Sequence, residues 1–300
     1  MKAPRRSIDG HAGDEADTMT DTPRNQNGWD PFPSSRRDKE ETAVQLDTPQ
    51  TRSPTYELAY ADDDFLTREE TRGIRLQLEL MKPELALNEA GILSTVVLFG
   101  GARIPEPGTE AWAARNETQR RNLEANSKFY EEARRFATIA SQHSADSHGG
   151  KEYVIVTGGG PGVMEAGNRG AADVDALSIS LNITLPHEQA PNRFATPELC
   201  FNFHYFAVRK MHFLLRAKAM AIFPGGFGTM DELFEALTLI QTRRMQRIPV
   251  LLFGESFWRR VIDLEALAEE GTIAPEDLDL VTYVDTAEDG WAAIRKFYDF

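Results

Sequence analysis

Apolar positions along the chain fall into two regimes. Through about residue 55 they are isolated among charges and the turn formers Pro4, Gly10, Gly13, Pro23, Gly28, Pro31, Pro33, Pro49 and Pro54. Such a stretch cannot bury enough surface to offset its chain entropy, so residues 1–55 are expected to be a disordered tail. Trp29 and Phe32 stand alone there, as plain tail residues or docking aromatics. From Asp64 the pattern changes. Thr67 and Glu70 have capping-box spacing, and Ile74, Leu78 and Met81 recur at helical spacing before Pro83. This predicts a helix within an extension over residues 56–92, packed on the main domain or on a second subunit.

Beyond about Leu93 short β-branched apolar runs recur at Thr95–Phe99, 153–157, Ser178–Ile183, 219–223, 249–253 and Val281–Val284. Helix-period segments lie between them, at about 116–141, 163–173, 206–216, 229–242, 257–269 and 287–300, and residues 141–150 read as a polar loop. Strands that are apolar on both faces and alternate with helices predict an α/β domain over 93–300. Its fold class is Rossmann-like and doubly wound, a mainly parallel sheet with helices on both faces. Ligands of such sheets bind beyond the carboxyl ends of the strands.

Composition narrows the class. A formal charge of −14 gives no general attraction to phosphate backbones or anionic membranes, so no nucleic-acid or membrane partner is expected. The single cysteine, Cys200, forms no internal disulfide and no thiolate cluster, which fits a reducing cytoplasm. No apolar run approaches the ~20 residues of a membrane span, and no basic start with an apolar stretch marks a secretory leader.

Two glycine-rich turns carry the candidate chemistry. The second strand runs into Gly158-Gly159-Gly160-Pro161-Gly162-Val163-Met164, ahead of a helix. Glycines there let backbone N–H groups approach an anion, and the helix N-terminus adds about half a positive charge. The pattern is neither a dinucleotide fingerprint, which needs a third glycine where Val163 stands, nor a P-loop, which needs GK[ST]. The fourth strand delivers a second turn, Pro224-Gly225-Gly226-Phe227-Gly228-Thr229-Met230-Asp231-Glu232. Two cradles on one sheet edge suit a ligand with a phosphate and a polar body, such as a nucleotide. Thr229 and Glu232 also have capping-box spacing, so helix initiation alone would account for them, though not for Pro224-Gly225-Gly226.

GGGPGVM at 158–164, the pair Arg209–Lys210 and PGGFGTMDE at 224–232 resemble, in that order, the Lonely Guy (LOG) family, whose members often carry a lysine-decarboxylase-like label. The similarity runs over roughly residues 93–300. It implies a homodimer or higher oligomer, free of cofactors, that hydrolyses the N-glycosidic bond of a nucleoside 5′-monophosphate, AMP or a cytokinin riboside monophosphate, to free base and ribose 5-phosphate. It also places the catalytic arginine at Arg209 and the catalytic glutamate at Glu232. Gly158, Gly159, Gly160, Gly162, Gly225, Gly226, Gly228 and Thr229 take the phosphate-binding role, with Lys210 beside them. Asp231 stands where many members have Glu, and Gly101 where serine is common. A non-catalytic nucleotide-binding or carrier protein is the alternative reading. Decarboxylation would need a Schiff-base lysine and a pyridoxal phosphate site, and the sequence identifies neither.

Breaking a ribosyl–base bond builds positive charge on the sugar and negative charge on the base. In the first helical turn the dipole favours an ionised Glu232, suited to stabilising the sugar or orienting water. Glu235, three residues on, shares its face and is a candidate helper. Arg209, permanently charged, serves electrostatically. Met164 and Phe227 are candidates for base contact, and His187, Glu188, Asn192 and Arg193 for contacts from the loop after the third strand. His204 and His212 are too far apart in sequence for a metal pair, and no metal site is expected.

Overall fold

The computed structural model describes residues 34–43, 46–186 and 190–300, so Trp29, Phe32, His187 and Glu188 lie outside the described residues. The chain divides into two compact units, one ending at Thr71 and one spanning Arg72 to Phe300.

In the first unit, helix α1 (Ser35–Thr42) occupies part of the stretch expected to be disordered. Its determinants are local. The Ser34 side chain accepts from Arg37 N–H, and Arg36–Glu40 and Arg37–Glu41 pair at i, i+4. No residue of α1 is buried, which is why apolar periodicity missed it. Helix α2 (Asp63–Leu66) is capped by Asp62, whose carboxylate accepts from Phe65 N–H at 2.8 Å. Thr67 closes α2, its hydroxyl donating to the Asp63 carbonyl at 2.8 Å. The capping box expected at Thr67 and Glu70 therefore does not form.

The second unit begins with α3 (Arg72–Glu89) and continues β1 (Thr95–Phe99), α4 (Glu117–Asn126), α5 (Lys128–His148), β2 (Val154–Thr157), α6 (Val163–Ala172), β3 (Ser178–Ile183), β4 (Cys200–Phe203), α7 (Phe206–Leu215), β5 (Ala217–Ile222), α8 (Phe227–Gln241), β6 (Val250–Phe253), α9 (Glu255–Val261), α10 (Leu264–Glu269), β7 (Val281–Val284) and α11 (Ala287–Tyr298). Seven strands form one sheet in the order β4-β3-β2-β1-β5-β6-β7, and every pairing is parallel. This is the Rossmann-like doubly wound class expected from the sequence. Side chains alternate between two cores. Val97 and Phe99 join Val208, Phe213, Leu233 and Trp258 on one face, while Val96 and Leu98 join Phe136, Ala166 and Trp291 on the other.

Three departures from the expected elements have physical causes. Strand β4 was not anticipated, because a four-residue edge strand carries too little pattern to read. The polar loop expected at 141–150 is mostly the last two turns of α5. Ser141 and Ser144 turn inward there, the Ser144 hydroxyl donates to the Glu152 carbonyl, and Gly149 ends the helix at φ 58°.

The third departure positions the site. Helix α3 runs through Pro83 instead of stopping before it. Proline has no N–H for the carbonyl four residues back, that of Glu79. His212 of α7, fully buried at its ring, supplies the missing donor, with Nε2 3.1 Å from the Glu79 carbonyl. The Glu79 carboxylate in turn accepts the backbone N–H groups of His204 and Tyr205 at 2.8 and 3.1 Å, just ahead of α7. Arg216 fastens the other end of α7 by pairing with Glu84 and Asn88. Helix α3 thus belongs to the same compact unit as the sheet, and it anchors the helix that carries Arg209.

Candidate functional site

The strand order reverses between β1 and β5, and the loops following β1, β2 and β5 meet there. Gly101 N–H donates to the Pro224 carbonyl at 2.9 Å, and Val163 N–H to the Gly101 carbonyl at 3.3 Å. The β1 loop is thereby wedged between the two glycine-rich turns. The cavity above them measures about 810 Å³. Gly158, Gly160, Met164, Arg209, Gly225, Gly226, Gly228, Thr229 and Glu232 all line it, as does Phe227. Gly159, Gly162, Lys210 and Glu235 do not, and each has other work in the fold.

The first turn is held from below by a buried polar network. The Thr157 hydroxyl accepts Gly159 N–H at 3.0 Å and donates to Asn168 Oδ1 at 2.7 Å. Asn168 Nδ2 donates to Ser178 Oγ at 3.0 Å, and Asn192 Nδ2 donates to Asn168 Oδ1 at 2.9 Å. Asn192 also donates its backbone N–H to the Gly159 carbonyl at 2.8 Å, so it braces the turn. The chain can pass here only as glycine. Gly159 sits at φ +79°, where a Cβ would lie 2.0 Å from Asn182 Oδ1. Arg193 stacks on the Phe194 ring at 4.9 Å and does not line the cavity.

Arg209 lies in the first turn of α7. Its Nε donates to the Leu181 carbonyl at 2.7 Å, and its guanidinium carbon lies 5.1 Å from the centroid of Phe213. A Cβ on Gly158 would stand 2.7 Å from Arg209 Nη2 and 2.9 Å from Met164 Sδ, so the absent side chain at 158 makes room for both. Lys210, the next residue, points elsewhere. Its Nζ lies 3.0 Å from Asp231 Oδ1 and 3.0 Å from Glu235 Oε2, tying α7 to α8. Lys210 and Glu235, both expected at the substrate, are joined by this bridge and do not line the cavity.

Helix α8 removes the ambiguity over Glu232. Its N-cap is Gly226, no side chain caps it, and Thr229 is already the third helical residue. No capping box forms, so helix initiation does not account for either residue. Thr229 packs instead over Gly225, where a Cβ would fall 2.1 Å from its Oγ1. Glu232 is 4% exposed, and its Oε2 has no hydrogen-bond partner. Burial pushes the carboxyl up to about 7, against the pull of Lys210 and Arg209 and with Glu235 adding to the rise. The ionised state expected from the helix dipole is therefore corrected: desolvation outweighs the dipole, and at neutral pH both protonation states are populated.

Arg103, Leu123, Asn126, Leu185, Phe206 and Phe257 also line the cavity and were not singled out from the sequence. No lysine does so among the described residues, so the cavity offers no Schiff-base nitrogen. No group of three or more His, Cys, Asp or Glu side chains is arranged to hold a metal among the described residues, and no helix there is long and apolar enough to cross a membrane.

Three solved structures align with the chain at low identity. The molybdenum cofactor carrier protein of Chlamydomonas reinhardtii aligns in one structure at 17% identity over 69% of this chain and 99% of its own, with a TM-score of 0.41. A second structure of that carrier gives 16%, 69%, 98% and 0.40. The structural-genomics target TM1055 gives 17%, 68%, 99% and 0.42. No curated protein matches the chain in sequence. The profile of the family described as "Possible lysine decarboxylase" matches residues 152–294, a stretch that contains both glycine turns, Arg209 and Glu232. Over residues 152–294 the chain is therefore similar to that family.

Proposed function

We propose that the protein hydrolyses the N-glycosidic bond of a nucleoside 5′-monophosphate, with AMP or a modified adenine nucleotide such as a cytokinin riboside monophosphate as substrate. One observation carries the reading. A buried carboxyl with an unpartnered oxygen, Glu232, shares a cavity with Arg209 and with the N-termini of α6 and α8, neither of which is capped by a side chain. An unsatisfied buried acid is costly unless something in the functional cycle uses it. The helix termini supply N–H donors and positive potential for a phosphate.

The chemistry follows from these positions. As the C1′–N bond lengthens, ionised Glu232 stabilises positive charge on the sugar and accepts a proton from the attacking water. Water oxygen bonds to C1′, the base departs with the bond electrons and takes up a proton from solvent, and Glu232 returns its own proton to solvent. A carboxyl poised near 7 changes state readily at working pH. Arg209 stays charged throughout and stabilises the electron-rich base or the phosphate. No step draws on a cofactor.

Purified protein incubated with AMP and with adenosine, assayed for free adenine and ribose 5-phosphate, tests this. The expected outcome is release from AMP far faster than from adenosine. Equal rates overturn the phosphate reading, and binding without turnover favours the carrier alternative. Self-association is part of the proposal. Ile74, Leu78, Met81 and Leu85 form a half-exposed apolar stripe on α3, and Met211 and Leu215 are exposed one turn apart on α7. Sedimentation is expected to show a dimer or larger species.

A further inference from the structure

The cavity is lined by two arginines among the described residues, and the motifs account for one. Arg209 stands on the β2–β3 side, anchored to Leu181 within β3. Arg103 belongs to the β1 loop, at the point where the strand order reverses. That loop touches both glycine-rich turns: a Cβ on Gly162 would lie 2.5 Å from the Gly101 carbonyl, and one on Gly101 would lie 3.1 Å from the Pro224 carbonyl. Arg103 thus projects from the seam between the two uncapped helix N-termini. It is exposed, lines the cavity, and makes no hydrogen bond or ion pair with a described residue.

We infer that Arg103 is a specificity-determining residue that grips the 5′-phosphate of the substrate, an inference that rests on the nucleotide reading of this cavity. A phosphate dianion placed between α6 and α8 meets backbone N–H groups, each of fixed and partial charge. Helix termini alone leave much of the dianion's charge uncompensated. A guanidinium entering from the seam supplies full charge and a planar pair of donors that fits two phosphate oxygens. Arg209 is less suited to this role, since its Nε is committed at the far side of the first turn. Tyr, Ser or Lys at position 103 would not offer that forked geometry. The inference assigns discrimination between nucleotide and nucleoside to a residue outside both glycine motifs.

The test is Arg103→Ala and Arg103→Lys, each compared with wild type in equilibrium binding of AMP and adenosine by calorimetry, and in steady-state kinetics on both. Arg103→Ala is expected to weaken AMP binding about 10- to 100-fold, the range for losing charge-assisted hydrogen bonds. KM for AMP rises correspondingly, kcat at saturation stays within a few-fold, adenosine is unaffected, and Arg103→Lys recovers part of the loss. Unchanged melting shows that the fold is intact. Equal loss for AMP and adenosine overturns the inference, as does AMP binding at wild-type strength. If wild type binds AMP in preference to adenosine but hydrolyses neither, and Arg103→Ala abolishes the preference, Arg103 keeps its role and only the hydrolytic reading falls. If wild type shows no preference for AMP over adenosine, the Arg103 assignment falls too.

Discussion

The two glycine-rich turns look alike in sequence and are built for different purposes. In the turn after β2, glycine is demanded by the protein itself: Gly159 and Gly162 both have positive φ, and a Cβ on either would overlap neighbouring atoms at 2.0 and 2.5 Å. In the turn after β5, a Cβ on Gly226 or Gly228 would meet nothing within 4 Å, and both residues face the cavity. Nothing internal to the fold requires glycine at these two positions, in contrast to Gly225, over which Thr229 packs. The first turn is tight because three loops must pack at one seam, whereas the second is bare on its open side, as a surface that a ligand approaches must be. The comparison separates glycines that hold the scaffold from glycines that leave room.

The largest expected effect falls on the first turn. Gly162→Ala forces an L-residue to φ +68° and presses a methyl group against the Gly101 carbonyl, so a loss on the order of 3–5 kcal/mol is expected in urea unfolding. A loss below about 1 kcal/mol would show that the β1 loop yields, and the contrast between the turns would dissolve.

Next comes Glu232, which the second turn delivers to the cavity floor. Glu232→Gln retains shape while removing the ionisable group, and turnover is expected to fall by a factor on the order of 10². The pH dependence of stability supplies an independent check. The folded carboxyl titrates at about 7 and its unfolded counterpart at 4.5, so the folded state keeps a proton that the unfolded state releases between those values. Unfolding free energy therefore falls as pH rises through that window, in full by on the order of 3 kcal/mol. Glu232→Gln is expected to flatten this slope and to be the more stable protein above pH 7. A wild-type slope retained in the variant would place the titrating group elsewhere.

The sequence made the sheet readable because β1, β2, β3, β5 and β6 are short apolar runs, and glycines follow all of them but β3. It left α1 unread because capping and ion pairs stabilise that helix with no apolar face. Pro83 misled for a different reason. The penalty for proline inside a helix depends on whether the orphaned carbonyl finds a donor, and the donor, His212, is 133 positions from Glu79 in sequence. The site divides along the same line. Arg209 and Glu232 sit in local motifs, but their surroundings do not: the network of Thr157, Asn168, Ser178 and Asn192 and the position of Arg103 arise only when separate loops meet. The charge state of Glu232 is not legible in the sequence because a dipole is a local property and desolvation a tertiary one.

The smallest effect is the most discriminating for the comparison between the turns. Gly228 is the second residue of α8, in helical conformation, with open space where its side chain would be. By propensity alone Gly228→Ala is expected to stabilise the protein by up to about 1 kcal/mol, the reverse of Gly162→Ala, although each replaces a turn glycine with the same residue. The added methyl group projects into space that a phosphate is proposed to occupy, so KM for AMP is expected to rise on the order of tenfold while adenosine kinetics stay unchanged. A variant both firmer and weaker in AMP binding would show that the glycine is kept for the ligand at the expense of helix stability. A variant firmer but with wild-type KM would move the phosphate away from α8 towards the first turn, leaving Arg103 and the N-terminus of α6 as the anion's partners. A variant that loses stability would mean that α8 needs glycine for its own backbone, and the distinction between the two turns would fail at this position.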